Sequence, residues 1–341
     1  MTETESLAAV EIAADLWQLP LPIRRHSLGG ANAFLIRDAD GYTLFDCGAE
    51  VEECADALAG QLDGLGVPFD AIHTLILSHG HGDHAGQAQS VVDRSGARLV
   101  FHERETAYIG YPNVDEGDCE QFVAWLRRYG YPEEEIAAIM ATATTGTRGD
   151  RRDQPLRPDR ELAGGEVLPI GRYRFEALWT PGHTPGSICL FERERRILLC
   201  GDHILEIVTP NVSLHPLLDE NPLPGYLASL RDFAHQEIDL VLPGHGPRIS
   251  DLGARTAEIG QRHAGRRSQV LSLLTRVPRS AYTLATQVWA KPGRRNWTNL
   301  HPHLRRNAVG MIAAHLELLA ASEAGITCHE EDGTLRYSLD R

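Results

Sequence analysis

Ile72-His73-Thr74-Leu75-Ile76-Leu77-Ser78-His79-Gly80-His81-Gly82-Asp83-His84 is the stretch on which the fold turns. Its first seven residues are rich in apolar and β-branched side chains and short enough for a buried strand, and a helix-compatible pattern resumes from Ala85 to Val92. Between these runs, His79, His81, Asp83 and His84 fall on the connecting loop. Gly80 and Gly82 have no Cβ, so the backbone can turn sharply and side chains two positions apart can converge. Neutral imidazole nitrogen and carboxylate oxygen suit Zn²⁺ at roughly 2.0–2.2 Å, and they also suit Fe or Mn. The spacing predicts a metal site at the end of a strand.

Three later segments repeat the device. Thr180-Pro181-Gly182-His183-Thr184-Pro185-Gly186, Cys200-Gly201-Asp202-His203 and Leu242-Pro243-Gly244-His245-Gly246-Pro247 each put a metal-binding residue type just after a hydrophobic run, inside a Gly- or Pro-containing turn. The runs are Phe175 to Trp179, Arg196 to Leu199 and Ile238 to Leu242. Strand, turn and ligand in repetition is how a sheet edge gathers distant residues into one site.

In this order, HxHxDH, PGHTPG, GDH and PGHG resemble the metallo-β-lactamase superfamily of hydrolases, over about residues 10 to 250. The strand Tyr42-Thr43-Leu44-Phe45-Asp46, followed by Cys47-Gly48, completes the pattern. The resemblance implies a four-layer αββα sandwich. It also implies that His79, His81 and His183 hold one metal, that Asp83, His84 and His245 hold another, and that Asp202 bridges both. Asp46 would brace the ligand loop without touching a metal, and His203 would be a structural histidine. Two Zn²⁺ are the implied cofactors, with a metal-activated water as nucleophile and no Ser or Cys attack. Asp83 would steer that water and relay its proton. Family members that destroy antibiotics carry a cysteine where this chain has Asp202, so antibiotic hydrolysis is disfavoured and Cys200 reads as a buried strand residue.

The chain has 341 residues, 42% of them hydrophobic, enough for one large core and a second small domain. The expected division is a catalytic domain over 1–250, with a candidate lid insertion at 103–165, and a winged-helix-like domain over 251–341. No apolar run reaches membrane-spanning length, and Met1-Thr2-Glu3-Thr4-Glu5 is acidic with no signal-type core behind it, so a cytoplasmic address is expected. Six cysteines without CxxC spacing suit reduced thiols. The net charge of −14 averages out against polyanion binding.

That average hides a basic segment. From Ile259 to Leu316 there is no Asp or Glu, while Arg262, Arg266, Arg267, Arg276, Arg279, Lys291, Arg294, Arg295, Arg305 and Arg306 all fall there. Helices are expected over Arg262 to Thr275, Tyr282 to Trp289 and Leu304 to Ala321, then a hairpin from Ile326 to Ser338. Three readings of the basic face stand: a solvated or homodimer surface, a site for a phosphorylated carrier such as coenzyme A, and a nucleic-acid contact with Trp289 and Trp297 available to stack bases. The 103–165 segment carries Tyr108, Tyr111, Phe122, Trp125, Tyr129, Tyr131 and Met140 on two expected helices, Cys119 to Arg128 and Glu133 to Ala141. These side chains either pack on the scaffold or roof an apolar pocket. The polar run Thr144 to Asp153 reads as a hinge or exposed loop. The expected activity is hydrolysis of an ester-type bond in a small molecule, a thioester or lactone ahead of a phosphodiester. An endoribonuclease is the alternative, and a metal-stabilised binding protein is a third class.

Overall fold

A computed structural model describes residues 8–24, 26–106, 108–109, 116–145, 156–215, 220–290, 296–323 and 325–340. Two compact units form: Met1–Tyr111 with Thr147–Pro210 and Phe233–Arg255, and Pro112–Gly146 with Asn211–Asp232 and Thr256–Arg341.

The first unit is built on two sheets. Strands β1 (Val10–Ala13), β2 (Leu16–Pro22), β3 (Gly30–Arg37), β4 (Tyr42–Phe45), β5 (Ile72–Ile76), β6 (Arg98–His102) and β7 (Arg160–Leu162) follow one another in chain order across the first sheet. In the second sheet the order is β12-β11-β10-β9-β8, made of β8 (Val167–Ile170), β9 (Tyr173–Trp179), β10 (Ile188–Glu192), β11 (Ile197–Gly201) and β12 (Leu240–Pro243). β4 pairs parallel with β5, β5 with β6, and β11 with β12. Parallel neighbours need crossovers. α1 (Glu52–Gly64) links β4 to β5, and α2 (Gly82–Ala85) with α3 (Ala88–Ser95) links β5 to β6.

Alternation along the strands divides the core. Phe34, Ile36, Phe45, Ile76 and Val100 join Phe175, Ala177, Leu190 and Leu199 in one cluster, so the two sheets meet face to face. Their chain neighbours Leu35, Leu44, Leu75 and Leu99 point the other way, into a second cluster with Leu58 and Leu62 of α1 and Val91 of α3. On the second sheet Cys189, Phe191, Leu198 and Cys200, opposite in phase to the shared core, are also buried. That is an α/β sandwich whose sheets are covered on both sides, as the sequence predicts. Gly96, in the left-handed region at φ 69°, ends α3 with its N–H on the Val92 carbonyl.

In the second unit lie α4 (Glu116–Arg128), α5 (Glu133–Thr145), most of α6 (Pro222–Ala234), α7 (Leu252–Leu273) from Thr256 onward, α8 (Ala281–Val288), α9 (Pro302–Ser322) and a sheet of order β13-β15-β14. The three strands are β13 (Arg279–Ser280), β14 (Ile326–Glu331) and β15 (Thr334–Leu339), the last two forming the expected hairpin. α5 and α8 pack on α9, and α4 packs on β15. Tyr129 donates from its hydroxyl to Glu317 (2.8 Å), its carbonyl accepts from the Tyr282 N–H (3.1 Å), and Arg305 pairs with Glu135 (2.5 Å).

This division differs from a boundary at 250/251 with the whole of 103–165 in the catalytic part. α4, α5 and the turn between them carry Phe122, Leu126, Tyr129, Tyr131, Ile136 and Ile139, all buried, and these side chains lie within the second unit. Three of the lid-candidate aromatics, Phe122, Tyr129 and Tyr131, are therefore core residues there, and Tyr111 lies outside the described residues. So do most of the polar run Thr144 to Asp153 and the basic residues Lys291, Arg294 and Arg295.

Candidate metal centre

Five chain turns converge at one edge of the sandwich. Asp46 follows β4, the His79–His84 run follows β5, His183 lies between β9 and β10, Asp202 follows β11 and His245 follows β12. Four of these are carboxyl ends of parallel strands, where backbone and loops splay to leave a crevice. Asp83 and His84 do not sit on an open loop as the sequence suggests. They fall in the helical turn α2, whose early start lets the His84 and Ala85 N–H groups bond the His81 carbonyl (3.0 and 2.9 Å).

The donor atoms stand at the separations expected of groups sharing a cation. His79 Nε2 lies 3.0 Å from His81 Nδ1, and the His183 ring packs edge-on against both His79 and His81. On the other side His84 Nε2 is 3.1 Å from His245 Nε2, which is 3.3 Å from Asp83 Oδ2. Asp202 spans the two groups: its Oδ2 is 3.4 Å from His183 Nε2 and 3.3 Å from His245 Nε2, and its Oδ1 is 3.4 Å from His84 Nε2. Ligands at roughly 2.1 Å around a tetrahedral ion sit roughly 3.3–3.4 Å apart. Among the described residues, buried Asp202 Oδ1 has no hydrogen-bond donor, an orphaned acceptor that a cation would satisfy. The donor set therefore fits metal ions.

Electrostatics divide the cluster. Burial and the neighbouring imidazoles push His79 well below the usual histidine range and His81 down to about 3, which leaves their lone pairs free. At His84 and His245 burial also lowers the pKa, but the carboxylates win: Asp202 and Asp83 hold His84 well above its ordinary value and bring His245 to about 9. A cation arriving there takes the place of protons.

Support from behind is dense. Asp46, held at φ 61°, accepts the Ser78 N–H on Oδ1 (2.7 Å) and the Ser78 hydroxyl on Oδ2 (2.7 Å), and Oδ2 lies 2.9 Å from His84 Nδ1. Ser78 Oγ is 2.9 Å from His79 Nδ1. One buried carboxylate thus orients a histidine from each group, as the sequence predicts for Asp46. His203 is buried against Phe233, 5.7 Å between ring centroids, and its burial takes it down to about 3, in keeping with a structural role. Cys200 is buried in β11, where its thiol is 3.2 Å from the Ile204 carbonyl and desolvation keeps it protonated.

Several residues of the site carry no motif. Glu105, fully buried after β6, accepts the Gly80 N–H on Oε1 (2.6 Å), and on Oε2 the Gly186 N–H (2.6 Å) and the Thr184 hydroxyl (3.0 Å). It ties the turn bearing His79 and His81 to the turn bearing His183. Asn32 of β3 donates to the carbonyls of Pro243 (2.9 Å) and Gly246 (3.0 Å), clamping the His245 turn. Tyr108 places its hydroxyl 3.0 Å from His81 Nε2, and His26 Nε2 lies 3.3 Å from Asp83 Oδ2. A lone acid, amide or histidine beside an apolar strand gives no periodic signal; its partners are distant in sequence.

A sandwich of two sheets that gathers imidazoles and carboxylates at strand ends is the build of a metal-dependent hydrolase. The model of the metallo-beta-lactamase superfamily matches residues 26–245, and the chain belongs to that superfamily. It is similar over 98% of both chains, at 25% identity, to the probable metallo-hydrolase YqjP of Bacillus subtilis. It is also 29% identical to the acyl-coenzyme A thioesterase MBLAC2 of Gallus gallus, over 63% of this chain and 72% of that protein. Among solved structures, a metallo-beta-lactamase family protein of Thermus thermophilus superposes with a TM-score of 0.78 at 29% identity, covering 96% of this chain and all of that one.

Proposed function

We propose that the chain is a binuclear zinc hydrolase of acyl thioesters, with coenzyme A or an acyl carrier as the thiol half. His79, His81 and His183 hold the first ion, Asp83, His84 and His245 the second, and Asp202 bridges them. The observation that carries this is Asp202, whose carboxylate lies within 3.4 Å of an imidazole from each group. Similarity to the MBLAC2 thioesterase supports the thioester over other ester-type bonds. Two divalent cations bound there supply Lewis acidity to the carbonyl and lower the pKa of the attacking water.

The chain's residues do the rest. Asp83 orients the attacking water and takes its proton. Asp46, Ser78 and Glu105 hold the imidazoles so that little reorganisation accompanies the reaction. Cys200 is walled in and kept as a thiol, so covalent catalysis by that sulfur is disfavoured. The reduced-thiol cysteine pattern fits a cytoplasmic setting.

An RNA phosphodiesterase is the second reading, favoured by the acid-free basic run from Ile259 to Leu316 and by helices closing on a hairpin in the winged-helix manner. Part of that charge is spent locally: Arg305 on Glu135, Arg262 on Glu258 (2.7 Å), and Arg266 over the Trp289 ring (4.6 Å). The discriminating experiment follows free thiol across acyl-coenzyme A chain lengths, beside labelled RNA and a lactone, for wild type and Asp202→Ala. Thiol release that falls by roughly three orders of magnitude in the variant, with its circular dichroism unchanged, is expected. Silence across the thioesters with RNA cleaved instead would overturn the assignment.

A further inference from the structure

His26 belongs to no sequence motif, yet it closes the site on the solvent side. It sits in the turn between β2 and β3, which is tied across its base by Ile23 N–H to the Gly29 carbonyl (3.3 Å) and shaped by His26 N–H to the Ile23 carbonyl (3.1 Å). Gly29 and Gly30 take φ 85° and 148°, and a Cβ on Gly30 would collide with the Leu21 carbonyl oxygen, so only glycine fits there. The same turn reaches the site twice. The Gly30 carbonyl is 2.5 Å from His245 Nδ1, and the His26 ring stacks on the His245 ring at 5.1 Å and 20°.

The tautomer of a neutral His26 ring follows from its neighbours. The Leu28 N–H donates to His26 Nδ1 (3.3 Å), so that nitrogen presents a lone pair and a neutral ring must carry its proton on Nε2. Nε2 lies 3.3 Å from Asp83 Oδ2, the oxygen that also approaches His245 Nε2 at 3.3 Å. His26, Asp83 and His245 place donor atoms within 4.8 Å of one another, and a His26 with its proton on Nε2 meets the Asp83 carboxylate as a donor and not as a fellow ligand. With a quarter of its side chain exposed, His26 stands between this half of the site and bulk water.

We propose that His26 is a positioning residue for the second cation. It fixes the Asp83 carboxylate by donating from Nε2 and covers the face of His245. The inference rests on Asp83 and His245 being ligands of that ion. Losing such a partner weakens metal affinity by roughly 10- to 100-fold.

Stepwise calorimetric titration of the metal-free chain with Zn²⁺, and with Co²⁺ followed by its visible spectrum, tests this in four proteins. His26→Ala should weaken the second binding step by roughly 10- to 100-fold and leave the first unchanged. His26→Gln keeps a donor at the reach of Nε2 and should restore most of the loss, whereas His26→Phe keeps a ring over His245 without a donor and should behave like Ala. Metal-free melting curves that match wild type establish that each variant folds. Unchanged second-step affinity in Ala and Phe overturns the proposal. So does a Gln variant as weak as Ala whose Co²⁺ spectrum has lost a nitrogen ligand, which would make His26 a ligand. A wild type that binds only one ion contradicts the binuclear reading itself, a different failure.

Discussion

Glu105 shows how much one side chain can hold. Its buried carboxylate accepts two backbone N–H groups and a hydroxyl from turns about a hundred residues apart. Burial raises its carboxyl from the ordinary 4.5 to about 7, against the pull of the Gly80, Thr184 and Gly186 donors. The folded chain therefore keeps a proton that the unfolded chain releases, so this group costs stability as pH rises from 4.5 toward about 7, and the cost is constant above that. In metal-free protein, Glu105→Gln should flatten the fall in urea-denaturation stability across that window; parallel slopes for the two proteins would reject the assignment. Glu105→Ala should be worse at all pH values, because it strands two buried N–H groups at about 1–3 kcal/mol each.

At the scale of elements, strand ends and the turns behind them make the site. β12 delivers His245 through Gly244, where a Cβ would meet Asp202 Oδ1 at 2.5 Å and His84 Cε1 at 2.7 Å. Gly244→Ala should push the bridging carboxylate aside, costing about 1–3 kcal/mol in overpacking and lowering bound metal below the wild-type ratio. Elemental analysis with thermal melting measures both, and full metal content would show that the turn can yield. Gly60 of α1 is a matched control, since nothing lies within 4 Å of its Cβ position. Gly60→Ala should stabilise the chain by about 0.5–1 kcal/mol and leave metal content alone. The strands around the site were legible because their apolar alternation and their Gly or Pro stops are local. The placement of α4 and α5 was not: an amphipathic helix declares that it has a buried face but not which neighbour covers it.

For the molecule as a whole, metal and fold are linked. Seven candidate donors from four turns are brought together at a cost in desolvation, and ions that bound only the folded state would offset it by mass action. Free ion at a thousand times its dissociation constant adds about 4 kcal/mol. Removing metal with a chelator should then lower the melting temperature by roughly 10 °C, and adding Zn²⁺ back should restore it. A melting curve indifferent to chelator would mean that the cluster is held together without ions. No helix among the described residues is long and apolar enough to cross a membrane, as the hydropathy of the sequence predicts.

What the sequence by itself determined is the sandwich and the places of seven candidate donors, because each follows a strand within a few residues and its chemistry is written in its type. Only the tertiary structure decided which of them meet, that Glu105, Asn32 and His26 stand behind and over them, and that α4 and α5 join the C-terminal helices. Those choices depend on contacts between residues far apart in the chain, where a single polar side chain leaves no pattern and acquires its role from whatever the folded backbone places opposite it.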